Sequence, residues 1–116
     1  MNWIRIASFF MFLAVALGAF GAHAIRSKIS EHYFDIYRTA VLYQFVHALG
    51  LFVVAWLSTI SHSPRVGWAG YLMIAGIILF CGSLYALSLT GIKWLGALTP
   101  IGGLCFLAAW ACLMLV

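Results

Sequence analysis

The sequence predicts an all-α integral membrane protein, a four-helix up-down bundle with an interfacial amphipathic segment after the first span. Three observations predict it. Of the 116 residues, 66% are hydrophobic and 7% charged, whereas a soluble domain is about 25% charged; the few charges cannot cover a water-facing surface. Apolar residues gather in four runs of about 20 residues, the length a helix needs to cross a hydrocarbon core about 30 Å thick. The runs show no strand-like alternation, and backbone polar groups in lipid must be satisfied within the segment, which leaves helices. One transmembrane domain, residues 1–116, uses the chain, with spans near 6–25, 40–60, 67–89 and 94–116.

The first span, Ile6–Ile25, follows Arg5 and ends near Ala22-His23-Ala24, features shared with a cleavable signal peptide. Its uncharged run to Ala24 exceeds the usual signal core of about 7–15 residues, so a retained helix is expected. Ala14, Gly18 and Ala22, with Gly21 beside them, lie at a spacing that lets helix backbones approach closely. In a chain with four helices that stripe is expected to pack within the bundle and not between copies.

Arg26–Thr39 holds the densest charge. Ser30 reads as a helix N-cap, with Glu31 in the first turn where the helix dipole favours an acid. Phe34, Tyr37 and Val41 recur at helical spacing, and Asp35 and Arg38 are close enough to pair at i, i+3. The stretch is expected along the membrane interface, either continuous with the second span, Ala40–Ile60, or bent near Thr39. Ser61-His62-Ser63-Pro64-Arg65 is a polar turn that Pro64 enforces, leading to the third span, Gly67–Leu89, where Gly82 and Ala86 repeat the small-residue spacing. Thr90-Gly91-Ile92-Lys93 is the third connection, and Trp94 anchors the fourth span, Trp94–Val116. There, Thr99-Pro100 followed by Gly102-Gly103 either kinks one helix or starts a new one with Pro100 at its first position; the kink is the simpler expectation. Short connections make consecutive helices antiparallel.

Arg26, Lys28, Arg38 and Lys93 fall on one side and Arg5 and Arg65 on the other. The positive-inside rule then puts residues 26–39 and 90–93 in the cytoplasm and both termini outside. The net charge of +4 reflects two acids against six bases scattered at span ends, not the clustered basic face of a nucleic-acid binder. Cys81, Cys105 and Cys112 form no C-x-x-C pair and read as buried thiols. No nucleophile-base-acid set or glycine-rich phosphate loop is present, so no enzymatic activity, metal or cofactor is expected. The expected surroundings are the lipid bilayer.

Polar residues inside the spans are the candidate site. Tyr43, Gln44 and His47 share one face of the second helix, and antiparallel packing is expected to bring His23 to a neighbouring depth, with Arg38 and Asp35 at the mouth. One reading is structural, a cluster that ties helices by hydrogen bonds worth about 1 kcal/mol each. The other is a ligand site for a small solute, ion or lipid; in that reading the unit is a homo-oligomer, because one four-helix bundle encloses little volume. A haem held by His23 and His47 ranks below both.

Four motifs carry a resemblance that runs the length of the chain: Gly18-Ala19-Phe20-Gly21-Ala22-His23-Ala24, Tyr43-Gln44-Phe45-Val46-His47-Ala48-Leu49, Phe80-Cys81-Gly82-Ser83-Leu84-Tyr85, and Leu89 to Gly103. In these the chain resembles an uncharacterised family of small four-span membrane proteins, which includes the bacterial YgdD-like and YwdK-like proteins and is similar to eukaryotic transmembrane protein 256. Cys81 stands where that family more usually has serine, and Lys93 where arginine is common. The resemblance implies four spans and a bacterial inner-membrane location, and adds no activity.

Overall fold

The computed structural model describes residues 1–116 as four long helices and no strand. They are α1 (Trp3–Ile25), α2 (Glu31–Ile60), α3 (Pro64–Thr90) and α4 (Thr99–Met114), the last preceded by a 3-10 segment, Lys93–Ala97. With the 3-10 segment counted into the fourth, Lys93–Met114, all four helices are long and apolar enough to cross a membrane, and the molecule measures 47 × 26 × 18 Å. α2 and α3 form the centre; α1 leans on α2, and α4 packs along α3. The first and third connections meet at one end, where Tyr33 lies beside Gly91. Trp3 and Tyr71 meet at the other end, their rings 5.4 Å apart.

The helix starts follow the local chemistry. Asn2, Ser30 and Ser63 each accept a hydrogen bond from a first-turn amide, at 3.1 Å from Arg5, 3.2 Å from Tyr33 and 3.3 Å from Arg65, and Pro64 occupies the first turn of α3. Gly91 ends α3 with φ 71°, a conformation that costs a residue with a side chain but not glycine.

Of the two courses expected for the stretch after the first span, the structure takes the continuous one; two other expectations need correction. Arg26–Ser30 makes the turn, and Glu31 onward is already α2, unbroken for 30 residues. No breaker stands near Thr39, whose hydroxyl bonds back to the Asp35 carbonyl at 3.0 Å within the helix, and Tyr37 is buried against α1. The fourth span is neither smoothly kinked nor capped by Thr99. Pro100 has no N–H and its ring crowds the carbonyl four residues back, so α-type winding begins only at Thr99, after the 3-10 segment. The Thr99 hydroxyl is 2.7 Å from that of Ser83 on α3; because Ser83 donates to the Phe80 carbonyl at 3.0 Å, Thr99 is the donor of this pair. Gly82, finally, is not at a close approach, since a Cβ there would meet nothing within 4 Å.

The close approaches lie elsewhere. A Cβ on Gly102 would strike the backbone of Phe80, one on Gly76 the ring of Phe106, and one on Gly70 the ring of Trp3. In α1, Ala14 is fully buried, Gly18 lies against Val41 and Gly21 against the Tyr37 ring; these pack within the chain, while Ala22 at the end of the stripe is exposed. Small residues take much of the interior, with Ala7, Ala14, Ala40, Ala48, Ala69 and Ala109 all at 0% exposure beside a few large core residues such as Leu51 and Met73, while Phe9, Phe12, Leu42, Leu49, Trp56, Leu104 and Leu107 face outward. Water would not tolerate so continuous an apolar surface on a monomer. Small residues inside and large ones outside are how membrane helices pack when burial of apolar surface gives no net gain.

Candidate functional site

α2 carries the two buried polar side chains that reach neighbouring helices on three sides. Gln44 and His47 are 2% and 4% exposed. Three residues of α-helix leave them about 60° apart around the axis, enough to aim them at different neighbours.

Gln44 points between α1 and α3. Its Nε2 donates to the Phe10 carbonyl of α1 at 2.9 Å, and its Oε1 accepts from the Tyr85 hydroxyl of α3 at 2.7 Å. Phe10 lies mid-helix, but a carbonyl has two lone pairs and can accept twice. Two turns away, Tyr37 donates to the Leu17 carbonyl of α1, and its ring meets that of Tyr85 edge-on with centroids 5.3 Å apart. A polar seam thus joins three helices.

His47 points to α4. Its Nδ1 lies 2.8 Å from the Tyr43 carbonyl and its Nε2 3.0 Å from Trp110 Nε1. The carbonyl can only accept and the indole N–H can only donate. The imidazole is therefore the neutral tautomer with its proton on Nδ1, and both nitrogens are occupied. Its ring stacks on Phe106 with centroids 3.5 Å apart. No lone pair remains for a metal or haem iron, and no three His, Cys, Asp or Glu side chains gather as a metal set.

The five expected residues are not one cluster. His23 is exposed at the end of α1. Gly21, two residues before it, faces Tyr37, and His47 lies ten residues further along α2, about 15 Å at helical rise. The expected common depth of the two histidines does not hold, because α1 ends level with the beginning of α2 and not with its middle. Arg38 is exposed at the same end as His23. Tyr43 is 39% exposed, with its ring 4.6 Å from that of Phe80. Tyr37, Tyr85, Ser83, Thr99 and Trp110 complete the polar contacts and are not among the expected site residues; each is a polar-tipped residue in or beside an apolar run, which is the signal that marks them.

Of the grooves on the outer surface, two adjoin the residues described above. One, of about 570 Å³, lies beside His47 and is lined by Tyr43, Phe80, Phe106, Leu107 and Trp110. The other, of about 470 Å³, lies between α1 and α2, with Gly18, Ala22, Val41 and Phe45 below and Arg26 and Arg38 above.

Residues 17–103 match the family model described as a protein of unknown function (DUF423). The UPF0382 membrane protein YwdK of Bacillus subtilis is 54% identical over 99 residues, 84% of this chain and 80% of the relative. UPF0382 membrane proteins of Staphylococcus aureus and Staphylococcus haemolyticus are 48% and 47% identical over 103 residues, 89% of this chain and 84% of each relative. No solved structure matches the chain.

Proposed function

The chain belongs to the DUF423 family, and we propose that it serves as a non-catalytic component of the bacterial plasma membrane whose buried polar residues tie its helices together. The observation that carries this reading is that every buried side-chain nitrogen and oxygen has a hydrogen-bond partner inside the bundle. A catalytic or transport site needs polar groups left free for a substrate; Gln44 joins α2 to α1 and α3, and His47 joins it to α4. A solute path through the cluster is the weaker reading for the same reason. The excess of Lys and Arg at the end that holds residues 26–30 and 91–93 supports placing that end in the cytoplasm.

The test is thermal unfolding of purified Gln44→Leu and His47→Ala in mild detergent. Both are expected to melt well below the parent protein. Melting at the parent temperature for both variants would remove the structural role and return the cluster to the ligand-site reading.

A further inference from the structure

We propose that the groove between α1 and α2 is a site for an anionic phospholipid, its phosphate held by Arg26 and Arg38 and its acyl chain lying along the small-residue face of α1. The groove encloses about 470 Å³, within the range of about 300–1,000 Å³ for pockets that hold small molecules. It is polar at one end only. Arg26 and Arg38 stand at the end where α1 stops, and the guanidinium of Arg26 is set 5.5 Å over the Phe34 ring.

Below them the floor is made by Gly18, Ala22, Val41 and Phe45, and the run of α2 from Arg38 to Phe45 descends about 10 Å at helical rise. The absence of large side chains at Gly18 and Ala22 is what keeps the channel open. An amphiphile with a negative head and an apolar tail matches this division. A solute ion would leave the lower groove unfilled, and a neutral lipid would leave the guanidinia unanswered. No acidic residue lines the groove; Asp35 borders a separate recess on the far side of Arg38, with Thr39 and Leu42. Arginine presents its donors in a planar fork that matches phosphate oxygens.

Native mass spectrometry of the full chain released from nanodiscs of equal phosphatidylglycerol and phosphatidylcholine tests the assignment. The parent protein is expected to retain phosphatidylglycerol selectively. Each basic group near an anionic head contributes about fivefold, so Arg26→Gln with Arg38→Gln is expected to cut that selectivity about thirtyfold. Ala22→Trp, which fills the groove from an exposed position, is expected to lose the retained lipid with both arginines present. Circular dichroism and an unchanged melting temperature in neutral detergent establish that the variants are folded, which keeps this outcome separate from that of the helix-tying role. Equal retention of the two lipids overturns the site, as does full selectivity in the double arginine variant. Displacement of the lipid by millimolar inorganic phosphate alone would assign the arginines to a free anion instead.

Discussion

Gln44→Leu is the most informative single substitution. Leucine fits the space but abolishes the bonds to Phe10 and Tyr85. Hydrogen bonds between helices within a membrane are worth about 0.6 kcal/mol on average and at most about 1.7. The Phe10 carbonyl stays in the backbone ladder of α1 and loses little. The Tyr85 hydroxyl has no other partner and is stranded, which costs a further 1–3 kcal/mol or so. The expected loss is therefore about 2–4 kcal/mol. Tyr85→Phe alone strands Gln44 Oε1 instead and costs somewhat less. Combining the two removes the stranded groups, and exchanging both partners of a bond for apolar groups of similar shape is close to neutral. SDS-titrated unfolding in mild detergent, followed by tryptophan fluorescence, gives the four free energies. The double variant is expected to be at least about 1 kcal/mol more stable than the sum of the singles implies, beyond the 0.3–0.5 kcal/mol or so within which independent sites add. Additive losses would refute the bond and the reasoning built on it.

Other perturbations separate packing from polarity. His47→Ala loses the stack on Phe106 and the Trp110 bond together and is expected to cost about 2–4 kcal/mol; Trp110→Phe, which leaves His47 only an unfilled acceptor, is expected to cost less in the same unfolding assay. Gly102→Ala is expected to destabilise by about 1–3 kcal/mol or more, as overpacking does, because the new methyl would meet the Phe80 backbone; Gly103→Ala, with Phe80 no nearer than 3.8 Å, should be nearly silent. Gly82→Ala meets nothing within 4 Å and is expected to raise the melting temperature through helix propensity worth up to about 1 kcal/mol.

Hydropathy and turn chemistry are enough to read the four spans, the cap at Ser30, the turn at Pro64, and the inward turn of Gln44 and His47. These depend on local properties: segment length, the φ of proline, and the cost of a polar side chain facing lipid. What the sequence could not supply was which helix each residue would meet. Periodicity places Gln44 and His47 on one side of α2 but carries no information about where α1 and α4 stand around it, so Tyr85 and Trp110 went unrecognised as partners. The depth of His23 failed for a related reason. It depends on where the chain turns, and the turn takes only Arg26–Ser30, the first part of the charged stretch, which puts the end of α1 beside Phe34 and Tyr37. Small-residue spacing was legible in α1 and misleading in α3, where Gly70 and Gly76, not Gly82, take the close contacts.

The account rests on four antiparallel passes through the bilayer. Single cysteines at Ser27, His62, Ile92 and Val116, in a chain whose Cys81, Cys105 and Cys112 are replaced by alanine, report this directly when an impermeant maleimide is applied to intact cells and then to permeabilised ones. Labelling at His62 and Val116 from outside, with Ser27 and Ile92 reached only after permeabilisation, is the predicted pattern. Ser27 and His62 reacting from the same side would contradict it, because no helix could then run from one face of the membrane to the other between them.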